Sequence, residues 1–141
     1  MSHSFNHTLP IQTRFGDIDS LGHTNNTVYI QYIDLGRLRY LVDVLKEPMD
    51  WENHGLIVAN INVNFLSPAK MFDEVEVRTK VVKIGNKSLE MYHQIYNKTK
   101  NVLVVEGKSV MVGYSNKLEV SIPIPSRWRE RIIGFEKEVK S

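Results

Sequence analysis

The chain has 141 residues, 42% of them apolar and 24% charged, with a net charge of +2. One domain with a real core is expected, and the charge is too small to specify a nucleic-acid groove while tolerating an anionic small ligand such as a nucleotide or coenzyme. The absence of cysteine excludes disulfides, thiolate metal sites and a cysteine nucleophile, and no apolar run approaches the about 20 residues that cross a bilayer.

The N-terminal residues 1–7 carry neither a basic region nor an apolar run of the secretory type, so a cytoplasmic protein is expected. Residues 7–15 alternate through Leu9, Ile11, Thr13 and Phe15, which predicts a half-buried strand with Pro10 at an edge. A polar loop follows, in which Gly16 and Gly22 permit tight bends. From Asn26 to Leu45 the period is near 3.6, and Tyr29, Ile33, Gly36, Tyr40 and Val44 fall on one face. Gly36 on that face suggests close approach to a sheet, whereas Asp43 near it is unexplained by the pattern. Pro48 ends the helix by disfavouring helical backbone in the residue before it.

Four strand-like runs follow. Residues 56–67 alternate through Ile57, Ala59, Ile61, Val63 and Phe65, and residues 72–84 through Val75, Val77, Thr79 and Val81. A Gly85-Asn86 turn leads to residues 87–96 with Leu89, Met91, His93 and Ile95. A polar turn at 97–101 leads to residues 102–114 with Val104, Val105, Val110 and Val112. Ser126 is expected to cap a short amphipathic helix bearing Trp128, Ile132 and Phe135. One long helix on an antiparallel five-stranded sheet, in a single domain over residues 1–141, is an α+β architecture in which the sheet curls around the helix.

The loop between the first strand and the long helix gathers Asp17, Asp19, His23, Asn25 and Asn26 at a helix N-terminus. Unpaired N–H groups and the positive dipole end suit a developing negative charge there. Asp19, Ser20, Thr24, Asn25 and Asn26 are also all good capping residues, so the first helical residue is open. On residue type alone, Asp17 and Asp19 read more readily as loop acids or caps, and His23 as a loop histidine. Three scattered ligands make Asp17, Asp19 and His23 a poor metal site, and none is expected.

The run Asp17-x-Asp19-x-x-Gly22-His23-x-Asn25-Asn26-x-x-Tyr29 resembles the hotdog-fold acyl-CoA thioesterases, and more narrowly their 4-hydroxybenzoyl-CoA thioesterase-like branch. Asp34-Leu-Gly-Arg37, Asn64 to Pro68, Phe72 to Val77 and Gly85 to Ser88 resemble that family's helix, next two strands and fourth-strand turn, in order. The resemblance implies that Asp19 is the catalytic carboxylate, as nucleophile or general base, with Asp17 structural. It implies that backbone N–H groups near Asn25 and Asn26 polarise the thioester carbonyl, and that His23 donates to the carbonyl or orients water. Plant-type acyl-carrier-protein thioesterases share the loop but place an asparagine where this chain has Leu21, so their asparagine–histidine mechanism does not transfer whole. Asp34 with Arg37 three residues on reads as an ion pair.

Hydrolysis of acyl-CoA or related thioesters is thus expected, with no cofactor beyond the coenzyme A of the substrate. A hotdog hydratase or dehydratase and a non-catalytic acyl-CoA-binding module are the alternatives. Tyr29, Phe65, Lys87 and Ser88 are expected to bind substrate, the coenzyme lying between the loop after Phe65 and the Lys87-Ser88 turn, where Lys70, Lys83 and Lys87 are available to phosphates. A homodimer or homotetramer is expected, with sites at the subunit boundary. Open sheet edges at Ile57–Ile61 and Leu103–Val105, and Leu38 and Leu45 off the main helical face, motivate it.

Overall fold

The computed structural model describes residues 4–48 and 50–141; the first three residues, on which part of the leader reading rests, lie outside them. The long helix α1 (Asn26–Leu45) spans the residues that its periodicity predicts, and Tyr29, Ile33, Gly36, Tyr40 and Val44 are all buried. Gly36 sits where a methyl group would collide with Val77 and press on Thr79 Oγ1, so its lack of a side chain lets the helix descend onto the sheet. Asp43 is explained by partners distant in sequence and local: His7 Nε2 lies 2.9 Å from Asp43 Oδ2, and Arg39 Nε lies 3.3 Å from Oδ1. Lys46, in the left-handed region with φ 55°, closes the helix by donating its N–H to Val42.

Around α1 the strands β1 (Thr8–Ile11), β2 (Gly55–Phe65), β3 (Val75–Ile84), β4 (Ser88–Asn97) and β5 (Val102–Ser115) form one antiparallel sheet in the order β1-β3-β4-β5-β2. A sixth strand, β6 (Val120–Ser121), which the sequence pattern does not show, extends the end of β5. β1 is shorter than the predicted run 7–15, because the chain leaves the sheet after Ile11 and makes a 3-10 turn at Phe15–Asp17. Phe15 is exposed rather than half-buried.

Bulges account for the remaining departures from strict alternation. In β2 the register slips between Val58 and Asn60, so Leu56 is buried while Ile57 and Val58 face solvent, and inward packing resumes at Ile61 and Val63. An extra residue opposite one partner reverses the side-chain parity, which period-two reading cannot anticipate. A second slip, between Val81 and Lys83, likewise carries the inward set from Val81 to Ile84. β5 is not an edge: it lies between β4 and β2, and Val104 and Val105 are fully buried within their own chain. β2 is the long open edge.

The core has two apolar halves. Val28, Tyr29, Tyr32 and Ile33 meet Val75, Val77, Ile95 and Val105 at the N-terminal end of α1. Tyr40, Leu41, Val44 and Leu45 meet Val81, Ile84, Leu89 and Met111 at the other end, which α2 (Ser126–Phe135) closes with Trp128 and Ile132. Leu45 is therefore covered by its own chain, not by a partner. Pro125, not Ser126, occupies the N-cap of α2, and no side chain caps it. Between the halves lies a polar layer. Thr79 pairs across strands with His93, whose Nε2 lies 2.8 Å from Ser109 Oγ, and Arg37 is buried near them. Burial first, then the nearby Arg37 charge, pushes His93 down to about 3 and keeps it neutral.

α2 is fastened through Glu47. Its carboxylate accepts from Arg127 Nε at 3.0 Å and Nη2 at 2.9 Å, from Trp128 Nε1 at 2.6 Å and from Arg131 Nη1 at 2.8 Å. The Arg127 bonds first, with those from Trp128 and Arg131 outweighing the cost of burial, hold Glu47 down to about 2, against an ordinary value of 4.5. A depressed carboxylate stabilises the fold fully above its unfolded pKa and loses that contribution as pH falls through its folded one. Glu47→Gln is therefore expected to lower stability at neutral pH by about 1–2 kcal/mol, the arginines being solvent-screened. Urea midpoints measured between pH 7 and pH 2 should also fall less steeply in the variant than in the wild type.

Candidate active site

The loop from Arg14 to Asn25 is shaped by its own backbone before any ligand is involved. Asp17 is buried and spends its carboxylate inward. Oδ2 accepts from Tyr32 Oη at 2.7 Å and from Arg14 N–H at 3.0 Å, and Oδ1 lies 3.4 Å from Arg14 Nη2. Burial alone would raise its pKa, but these bonds and the Arg14 charge outweigh it and hold Asp17 below the usual carboxylate range. Its carbonyl accepts the Asn25 N–H at 2.9 Å, so Asp17 ties the loop to the helix start. Asp17 is structural.

Asp19 is turned the other way. Its Oδ1 accepts the Leu21 N–H at 2.9 Å, with His23 N–H at 3.4 Å, while its N–H donates to the His23 carbonyl at 2.9 Å. Gly22, with φ 81°, supplies the left-handed turn that this small ring needs. Oδ2 of Asp19 has no hydrogen-bond partner among the described residues.

Asn25 is the N-cap: its Oδ1 accepts from Thr27 N–H at 2.9 Å and from Thr27 Oγ1 at 2.8 Å. Because its own N–H is given to Asp17, Asn25 offers no backbone donor to a substrate. Asn26 does, since the first helical N–H has no intrahelical acceptor and none is supplied by the described residues. Asp19, Leu21, His23, Thr24, Asn25 and Asn26 line a cleft of about 430 Å³ with Tyr29 beneath and Phe65, Leu66, Ser67 and Pro68 opposite.

The opposite wall is held by Tyr29. Its hydroxyl accepts the Ala69 N–H at 2.9 Å, and Thr24 N–H donates to the Ala69 carbonyl at 2.9 Å. Burial first, with nearby Asp19 and Asp73 adding to it, raises the Tyr29 pKa, so the phenol stays protonated. Leu66, Ser67 and Pro68 form the loop after Phe65, which the sequence reading assigns to the coenzyme without placing it against Asp19. The position of this loop opposite Asp19 comes from the Ala69 bonds.

Lys87 and Ser88 lie elsewhere. Lys87 accepts from Gly113 N–H and stands 3.4 Å from Ser121 Oγ, in the turn beside Ile84, Leu89 and α2, at the C-terminal end of α1. One chain does not bring them to the cleft, which corrects the expected single coenzyme surface: α1 of 20 residues spans about 30 Å. Lys70, in the wall beside Ala69, remains near the cleft. Asp17, Asp19 and His23 do not converge, and no group of three histidine or acidic side chains among the described residues is placed to hold a metal.

An antiparallel sheet curled around one long helix is the hotdog architecture. The chain belongs to the thioesterase-like superfamily, whose model matches residues 13–132. A thioesterase from Thermus thermophilus, solved with coenzyme A and Zn, is 32% identical, with TM-score 0.81 over 94% of this chain and 96% of that one. A chloroplastic acyl-acyl carrier protein thioesterase of Arabidopsis thaliana is 23% identical over 94% of this chain and 70% of its own length. A 1,4-dihydroxy-2-naphthoyl-CoA thioesterase from Synechocystis shares the fold at 15% identity, with TM-score 0.80 over 89% of this chain and 94% of that one. The protein is a thioesterase. No helix among the described residues is long and apolar enough to cross a membrane.

Tyr29→Phe leaves the buried Ala69 N–H without its acceptor. A stability loss of about 1–2 kcal/mol is expected, read by urea denaturation, because an unsatisfied buried donor keeps its desolvation cost.

Proposed function

We propose that the protein hydrolyses acyl-CoA thioesters to the free acid and CoA, with Asp19 as the catalytic carboxylate. The supporting observation is the juxtaposition in one cleft of an unpartnered Asp19 Oδ2 and the open Asn26 N–H at the N-terminus of α1. With the thioester carbon over Asp19, the carbonyl oxygen accepts from Asn26 N–H, where the helix dipole favours the oxyanion. Oδ2 then attacks the carbon, giving an acyl-aspartate that water hydrolyses, or removes a proton from the attacking water; both routes release the thiolate of CoA. Asn25 holds the helix start in place, and His23, half-buried on the cleft rim, orients the water or the carbonyl. CoA enters as part of the substrate, and no further cofactor is required. Asp19→Asn should fold normally and lose about 10²–10⁴-fold in kcat, measured by thiol release from acyl-CoA; turnover within about threefold of wild type would refute the role.

The working unit is a homo-oligomer, at least a dimer, with subunits meeting along β2. That strand is the long open edge, and it exposes Ile57, Val58 and Phe65, while Leu35 and Leu38 of α1 are exposed as well. A two-fold axis would run the two β2 strands antiparallel and set the Gly55 end of one subunit by the Phe65 end of the other. The partner's Lys87-Ser88 turn then approaches the cleft from the far side, which restores both residues as coenzyme contacts. Sedimentation equilibrium should give a species of at least twice 16.3 kDa. Mixed Asp19→Asn and Lys87→Glu subunits should recover activity that neither has alone. An active monomer, or no recovery after proven subunit exchange, would overturn the shared site.

A further inference from the structure

The proposed catalytic acid and the open N–H belong to different elements, and the bonds of the acid's own turn do not fix it to the helix. Asp19 N–H donates to the His23 carbonyl, Gly22 N–H donates to the Asp19 carbonyl, and Asp19 Oδ1 takes the Leu21 N–H. Ile18 and Thr24 pair antiparallel across the turn, so residues 17–25 form a small hairpin with Asp19 on its outgoing arm. All of these bonds stay inside the hairpin. Its returning arm is held, because Thr24 N–H donates to the Ala69 carbonyl and Asn25 leads covalently into α1. The outgoing arm has one hydrogen bond to the body of α1 among the described residues, from Tyr32 Oη to Asp17 Oδ2 at 2.7 Å.

Tyr32 lies six residues beyond Asn26, about 9 Å along the helix. Its bond therefore joins the hairpin to α1 at a second level, below the joint at Asn25. A hairpin held only at its joint pivots there; held at two levels it does not. Both partners are buried, and the Tyr32 ring is braced edge-on against Tyr29 with centroids 6.3 Å apart. Burial first, then the Asp17 carboxylate, raises the Tyr32 pKa, so the phenol keeps the proton that it donates. Thr13, where the chain leaves β1, hydrogen-bonds the same hydroxyl. Without that hydroxyl, Asp17 Oδ2 keeps only the Arg14 N–H. A buried carboxylate that loses a donor is driven toward water, and the Asp17 carbonyl that takes the Asn25 N–H moves with it.

We propose that Tyr32 is a positioning residue for thioester hydrolysis: acting through Asp17, it sets where Asp19 Oδ2 stands relative to the Asn26 N–H. The role rests on the hydrolytic reading of the cleft. Tyr32 does not line that cleft, so substrate affinity does not depend on it. A misplacement of about 1 Å costs on the order of 10²-fold in rate, and the loss of one tie among several should cost about tenfold to thirtyfold in kcat.

Tyr32→Phe is compared with Tyr40→Phe, which removes a bond of the same chemistry, Tyr40 Oη to Glu136 Oε2 at 2.6 Å, at the far end of α1. Thiol release from acyl-CoA and urea denaturation are measured on both. The two variants should lose similar stability, whereas Tyr32→Phe alone should lose kcat, about tenfold to thirtyfold, with KM within about twofold of wild type. In an Asp17→Asn background, Tyr32→Phe should lower kcat by no more than about twofold further, since the tyrosine acts through that carboxylate. Equal kcat in the Tyr32 and Tyr40 variants, or a raised KM at unchanged kcat in Tyr32→Phe, overturns the role. Fully additive losses in the double variant overturn the path through Asp17. Should Tyr32→Phe fail to fold, Asp17→Asn decides, with the same fall in kcat at unchanged KM expected and an unchanged kcat overturning the role. A wild type that hydrolyses no thioester overturns the hydrolytic reading and the positioning role with it; an active wild type with an unimpaired Tyr32→Phe overturns the positioning role alone.

Discussion

The close contact of α1 with β3 at Gly36 governs the rest of the molecule. A helix carrying a side chain there would be held off by Val77 and Thr79. Seated on β3 through glycine, the helix buries Tyr29, Ile33, Tyr40 and Val44 in the concavity of the sheet and leaves β2 on the open side. The cost of about 1 kcal/mol for glycine in a helix is small beside the apolar area that close approach buries. The same seating points the N-terminus of α1 at the loop after β2, which is why a cleft forms there.

That cleft is built largely from backbone groups. Asp17 takes the Asn25 N–H through its carbonyl and the Tyr32 hydroxyl through its carboxylate, so the strand-to-helix loop is tied at both ends. Asp19, two residues on, has one oxygen engaged in its own turn and the other open. Neighbouring acids thus divide into a buried structural one and an available one. The division follows from which carboxylate the fold can satisfy.

Buried polarity in the middle of the core is the second organising feature. Thr79, His93, Ser109 and Arg37 split what would be one hydrophobic core into a half beneath the cleft and a half closed by α2. Such a layer stabilises less than apolar packing would. It lies two to three helical turns along α1 from the open Asn26 N–H.

How much was legible in the sequence varied with the range of the interactions concerned. The helix over Asn26 to Leu45 was legible from its period and from Pro48, which are local signals, while five candidate caps left its first residue to the structure, which gives the cap to Asn25. The four long strands were determined to within a few residues, as was the gathering of Asp17, Asp19, His23, Asn25 and Asn26 into one loop, because neighbours in sequence must be neighbours in space. Tertiary structure alone decided the inner partners. It gave Asp43 to His7, covered Leu45 with α2, buried Val104 and Val105 in mid-sheet, and reversed the parity of β2 and β3 at bulges that alternation cannot show. It also separated Lys87 and Ser88 from Asp19 by the length of α1, and it set Ser67 and Pro68 opposite that acid. Local pattern records which face of an element is apolar; which other element covers that face is fixed only when distant segments compete for the same buried surface.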